Sequence, residues 1–183
     1  MDILNRNCSI HDFEQMRTQL NYLKYIGYHT LNVDAVYKYC RILYSLERKK
    51  YIQIKNNTII STSNTKRRCL DVGGGISPIH FSLSNIDEIF NVDLSFKGWF
   101  PNVNKIYTGA TKSFKYDKNN IHYIESELLK YLKTIPDNYF DYIVDGCSLI
   151  HMLKLGEIKN NGKEYMNELS RVLKTGGHFM GTC

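Results

Sequence analysis

Apolar positions in the first fifty residues repeat at helical spacing. Phe13, Met16, Leu20 and Leu23 fall three or four residues apart between residues 9 and 25, which places them on one helix face. Ser9 and Asp12 give that helix a capping-box-like start, and Gly27 is a natural stop. A second face runs from Val33 to about Arg48 through Val36, Tyr37, Cys40, Leu43 and Leu46, with Asn32 as its cap. The pattern then changes to two β-rich pieces, Tyr51 to Ile54 and Thr58 to Ile60. They flank Lys55-Asn56-Asn57 and predict a small hairpin. The polar run from Ser61 to Lys66 reads as a link, so the boundary falls near Thr65: residues 1–65 form an N-terminal helical extension and residues 66–183 a second domain.

Past the boundary, strand and helix patterns alternate. Cys69, Leu70 and Val72 make a short buried strand that ends in Gly73-Gly74-Gly75. A helix follows to about Ser84, with Ser77 as its N-cap and Pro78 at the first helical position, where a missing N–H costs nothing. Ile89 to Asp93 reads as a second strand and Ile121 to Ile124 as a third, followed by an amphipathic run through Leu128, Leu129, Tyr131 and Leu132. Phe140 to Asp145 reads as a fourth strand. Tyr165, Met166, Leu169, Val172 and Leu173 form a helix face, Gly176 is expected as its left-handed C-cap, and His178 to Met180 is a fifth strand. Residues 94–120 are weakly patterned and predict no helix. Alternation of this kind implies an α/β fold, a doubly wound and mostly parallel sheet.

Composition narrows the setting. With 183 residues, 43% of them hydrophobic, the chain can bury one substantial core. No apolar run approaches the roughly 20 residues of a membrane span, and Asp2, Arg6, His11 and Asp12 stand where a signal peptide needs an apolar core. A cytoplasmic location is expected. Cys8, Cys40, Cys69, Cys147 and Cys183 are odd in number and irregularly spaced, with no C-x-x-C, which fits reduced thiols and no metal site. The net charge of +6 permits an acidic partner such as nucleic acid, but only Arg48-Lys49-Lys50 and Lys66-Arg67-Arg68 cluster, so nucleic acid is not favoured.

The glycine turn is the centre of the chemistry. Strand, Gly-rich turn and helix bring backbone N–H groups close to a bound nucleotide or nucleoside. A dinucleotide fingerprint would need a third glycine where Pro78 stands. Asp71, two residues before Gly73, would repel a pyrophosphate but suits a cofactor with a positively charged amino-acid end. The pattern Asp71-x-Gly73-x-Gly75 resembles the first motif of class I S-adenosylmethionine (SAM)-dependent methyltransferases. Three later segments agree in order. Asp93 stands about 20 residues past the turn, as one strand-helix-strand unit requires. Phe140-Asp141 opens the fourth strand ahead of Leu149-Ile150-His151, and Leu169-Ser170-Arg171-Val172-Leu173-Lys174-Thr175-Gly176-Gly177 is similar to the family's junction between helix and fifth strand.

The resemblance implies a Rossmann-like fold and S-adenosyl-L-methionine as cofactor. It gives Asp71 to the methionine part, Gly73, Gly74 and Gly75 to close backbone approach, and Asp93 to the ribose hydroxyls. Glu125 and Ser126 fall where the family meets the adenine, in place of the more usual Asp. A methyl on a sulfonium is already activated, so the protein mainly aligns the reactants, and a base is needed only for an acceptor that must lose a proton. Asp145, at the end of the fourth strand, and His151 are the candidates for that role.

Gly146 precedes Cys147-Ser148 where a cytosine-C5 methyltransferase would carry Pro, and no Asp-Pro-Pro-aromatic signature follows Asp145. The acceptor is therefore expected to be a small molecule or glycan, with RNA or protein methylation, or a non-catalytic binding subunit, as alternatives. The family usually continues into two more strands, whereas this chain ends at Cys183. A bare fifth strand is expected to invite a partner chain or a second copy.

Overall fold

The computed structural model describes residues 14–28, 33–97, 116–154 and 162–182. The expected capping residues Ser9, Asp12 and Asn32, together with Phe13, Cys8 and Cys183, lie outside them. Helix α1 (Arg17–Tyr25) ends where Gly27 takes a φ of +76°; Tyr28 N–H reaches Leu23 O and Gly27 N–H reaches Lys24 O, both at 3.0 Å. This pair of bonds is the Schellman arrangement, and glycine adopts it without a Cβ penalty. Helix α2 (Val33–Arg48) buries Ile42, Leu43 and Leu46 completely, each contributing about 1.5–3 kcal/mol. The hairpin β1 (Ile52–Lys55) and β2 (Thr58–Ser61) is antiparallel, and Asn56 and Asn57 both have positive φ in its two-residue turn.

The remaining strands form one parallel sheet. These are β3 (Arg68–Val72), β4 (Glu88–Asp93), β5 (Ile121–Glu125), β6 (Phe140–Asp145) and β7 (Leu173–Gly181), in the order β5-β4-β3-β6-β7. Among the described residues the sheet is flanked by helices α3 (Pro78–Leu83), α4 (Leu128–Leu132), α5 (Ser148–Lys154) and α6 (Lys163–Val172), with a short 3₁₀ turn at Lys118–Asn120. The chain steps outward from β3 through β4 to β5, then returns to lay β6 on the other side of β3. A crevice opens at the carboxyl ends of the strands where the direction of winding reverses.

Side chains that alternate along the strands feed two cores. On one face, Cys69, Ile89, Tyr142 and Val144 pack with Leu23, Ile26, Leu43 and Leu46 of the N-terminal helices and with Ile79 and Leu83 of α3. On the other, Leu70, Val72, Val92 and Ile143 meet Leu128 and Leu132 of α4 and Leu169 and Val172 of α6. The extension and the sheet thus share one continuous apolar cluster.

One expectation needs correction. Gly176 does not cap α6, whose last helical residue is Val172; it lies inside β7 with a φ of +81°. Leu173 pairs with Phe140 and His178 with Tyr142, so the strand carries extra residues between those pairs, and Gly176 provides the left-handed step of that bulge. The run Lys66-Arg67-Arg68, clustered in sequence, is dispersed by the fold. Arg67 is nearly buried in a bidentate pair with Asp87, at 3.1 and 2.9 Å, and Tyr142 Oη donates to Asp87 at 2.7 Å. Arg68 lies 4.3 Å from the centre of the Tyr139 ring.

Candidate functional site

The turn after β3 is fixed on every side by its neighbours. Gly73 and Gly75 hold φ values of +56° and +46°, left-handed conformations that an L side chain rarely adopts. Gly73 N–H donates to Val92 O and Ser77 N–H to Gly74 O, both at 2.7 Å, while Asn91 Nδ2 donates to Gly75 O at 3.1 Å. Bare backbone is required by the protein's own packing. A Cβ at Gly73 would lie 2.2 Å from Ser148 Oγ, and one at Gly74 would lie 2.4 Å from an Asp71 carboxylate oxygen. Ser77 caps α3 by accepting Ile79 N–H at 3.1 Å, with Pro78 next in the chain as expected.

Above the turn lies a cleft of about 330 Å³, within the range of small-ligand sites. Gly73, Asp93, Ser126, Gly146, Ser148 and His151 are among the residues that line it, with Val92, Leu94, Leu128 and Met152 giving it apolar walls. The structure thus gathers Gly73, Asp93, Ser126 and His151 of the expected site residues at one opening. Asp93 is half-buried; one oxygen accepts Gly75 N–H at 3.1 Å and the other Ser95 N–H at 3.3 Å. Ser126 N–H donates to Asp93 O at 3.0 Å, which holds the end of β5 against the end of β4.

Other expected residues sit behind the lining. Asp71 is buried below the turn, with one oxygen 3.2 Å from His80 Nδ1, and burial pushes its pKa upward against that partner. Its carboxylate does not line the cleft, so its influence there runs through the turn it supports. Gly74 faces the same interior, toward Asp71 and Asn91. Gly75 contributes its N–H to Asp93. Glu125 is turned to Phe96 N–H at 3.3 Å and braces the segment after β4.

The junction of β6 and α5 shows what Asp145 does. Cys147 takes a φ of +90°, and this sharp bend brings the Asp145 oxygens onto Ser148 N–H at 2.6 Å and Leu149 N–H at 3.3 Å. The carboxylate therefore caps α5. Burial raises its pKa to about 6, partly offset by those two bonds. It is almost fully buried and does not line the cleft, whereas His151 is exposed there, one turn into α5.

Tyr39, a residue outside the expected set, packs behind the cleft-lining Gly146. A Cβ at Gly146 would lie 3.2 Å from its ring, and Tyr28 meets it edge-on at 5.4 Å. Burial drives its pKa upward, which keeps the phenol protonated. The signal was present: Tyr39, Leu43 and Leu46 share one face of α2 at i, i+4 and i+7.

The cleft tests whether a nucleoside cofactor fits these residues. Its strand-end position, the Gly73 backbone in its wall and an aspartate facing in from the neighbouring strand suit an adenosyl group with two vicinal hydroxyls. Fold and cleft together define a Rossmann-like domain built for a nucleoside-bearing cofactor. Residues 70–181 match the model of the methyltransferase domain family. The chain belongs to that family, the class I SAM-dependent methyltransferases.

Solved structures similar to the chain include the YcgJ protein of Bacillus subtilis, at 20% identity over 63% of this chain and 43% of that one, with a TM-score of 0.45. A SAM-dependent methyltransferase of Archaeoglobus fulgidus matches at 18% identity over 62% of this chain and 43% of its own length, with a TM-score of 0.42. A TehB-like SAM-dependent methyltransferase of Corynebacterium glutamicum matches at 15% identity over 91% of this chain and 69% of that one, with a TM-score of 0.46. The chain thus spans less than half the length of the first two. No curated protein sequence matches significantly. Among the described residues, no helix is long and apolar enough to cross a membrane.

Proposed function

We propose that the protein transfers a methyl group from S-adenosyl-L-methionine to a small molecule or glycan. The observation that carries this reading is the open cleft at the carboxyl ends of β3, β4 and β6, in a chain of the methyltransferase family, with the Asp93 carboxylate on its wall. The cofactor supplies an activated methyl on a sulfonium. Asp93 would hold the ribose hydroxyls with the acceptor positions its two backbone bonds leave free. Gly73 would present bare backbone to the cofactor, and Ser126 a hydroxyl at the end of β5.

His151 is the better placed of the two candidate bases. It is exposed in the cleft, where an imidazole nitrogen can accept a proton from an acceptor hydroxyl or amine. Asp145 would act through α5, by fixing the first turn of the helix that carries His151.

Calorimetry with S-adenosylhomocysteine tests the reading. Saturable one-to-one binding that the Asp93→Ala variant weakens is the expected result; folded protein with no binding would remove the proposal.

A further inference from the structure

Helix α2 and strand β7 enclose a second groove of about 430 Å³, on the far side of β6 from the glycine turn. Arg41, Tyr44 and Arg48 line it from one face of α2, at i, i+3 and i+7, joined by Lys49; His178 and Gly181 line it from β7. None of the three cations forms an ion pair with a described residue, and no carboxylate is among the lining residues. Glu47, the acid next to Arg48, is committed elsewhere. Its oxygens accept Gln19 Nε2 at 2.7 Å and Ile54 N–H at 3.0 Å. Three cations around one concavity create a positive potential, and the guanidinium fork matches the oxygens of phosphate and carboxylate.

The groove also has a definite relation to the cleft. Gly181, at its upper end, is the ladder partner of Asp145, and Gly146, the next residue, lines the cleft. Adjacent strands are about 4.8 Å apart, so Gly181 of the groove and Asp145, the residue before the cleft-lining Gly146, lie one strand apart. Tyr39, two residues before Arg41 on α2, covers Gly146 between them. A molecule reaching the cleft at Gly146 could extend past Tyr39 and lay a charged end against Arg41.

We infer that this groove is an anion site, which holds the phosphate or carboxylate of a small acidic methyl acceptor. The assignment of the ligand as acceptor rests on the methyltransferase reading above. The acidic group anchors the acceptor along β7, and its nucleophilic end projects toward Gly146.

The test follows labelled protein by NMR during titration with inorganic tripolyphosphate and, separately, with citrate, against potassium chloride of equal ionic strength. Saturable shifts at the Gly181 amide and the Arg41 guanidinium are expected for at least one anion, and which anion binds identifies the acidic group. Affinity should fall at least roughly tenfold in the Arg41→Ser/Arg48→Ser variant and recover in part in Arg41→Lys/Arg48→Lys. S-adenosylhomocysteine should bind the serine variant about as tightly as the parent, which shows that fold and cleft are intact.

Absence of saturable shifts in the groove, or equal affinity in the serine variant, overturns the site. A short single-stranded RNA that binds through the same arginines roughly a hundredfold more tightly than tripolyphosphate, with a steep salt dependence, overturns the small-molecule assignment. Anion binding without S-adenosylhomocysteine binding would leave the anion site standing and remove its role as acceptor anchor together with the methyltransferase reading.

Discussion

The Asp93 carboxylate accepts the Gly75 N–H at 3.1 Å, so the acid that ends β4 is tied to the turn that ends β3. One residue thereby shapes the cradle and faces its contents. Asp93→Ala removes both functions and is expected to weaken S-adenosylhomocysteine binding by about 1–3 kcal/mol, roughly 5- to 150-fold. Asp93→Asn keeps an acceptor oxygen and should fall between. Titration calorimetry on the three proteins checks the order; an alanine variant that binds as well as the parent would dissociate Asp93 from the cofactor.

Gly73 and Ser148, distant in sequence, occupy touching positions. Ser148 Oγ donates to Gly73 O at 3.0 Å, and a Cβ at Gly73 would lie 2.2 Å from that same oxygen. Gly73→Ala therefore meets both a steric conflict of about 1–3 kcal/mol and a left-handed backbone cost of about 1–2 kcal/mol. Ser148→Gly in the alanine background should restore the steric part only. Urea unfolding of the four proteins of this cycle reads the coupling directly, and strictly additive effects would contradict the contact.

Much of the fold was legible because it follows from local periodicity. The alternation of short apolar runs with helical faces predicted all five parallel strands, and the Gly27 stop, the Ser77–Pro78 helix start and the Asn56-Asn57 hairpin turn each rest on the conformational preference of one or two residues. The lining of the cleft was legible at the strand ends of the crevice, where Gly73 follows β3 and Asp93 closes β4. It was not legible where a long-range contact decides which way a side chain faces. His80 draws Asp71 into the interior, the bend at Cys147 turns Asp145 onto α5, and Asp87 removes Arg67 from the surface. Gly176 was misplaced for a related reason: a left-handed glycine after a helix is equally suited to a bulge when the following strand begins early.

The Arg67–Asp87 pair provides a third test, on stability alone. Asp87 is wholly buried and is bonded by Arg67 Nε, an Arg67 terminal nitrogen, the Arg67 N–H and Tyr142 Oη. Arg67→Met leaves that carboxylate without its countercharge and is expected to cost about 3–5 kcal/mol. Arg67→Met/Asp87→Leu removes both charges and should recover a large share of the loss. Denaturant midpoints measure this; a double variant less stable than the single one would show that the charge on Asp87 is not the source of the cost.

Asp145 makes stability depend on pH in a direction opposite to that of a surface salt-bridged acid. Burial raises its pKa from the ordinary 3.8 to about 6, so between those values the folded protein holds a proton that the unfolded chain has released. Unfolding free energy must then fall as pH rises through that window, by about 1.4 kcal/mol per unit and roughly 3 kcal/mol in all, and level off above it. Asp145→Asn retains a side-chain oxygen for the α5 cap and has no carboxyl to titrate. Subtracting its stability from that of the parent cancels most of the other ionisable groups. The difference should decline between pH 4 and 7 and stay flat beyond; a level difference across the whole range would mean that the Ser148 and Leu149 N–H groups hold Asp145 ionised at no cost.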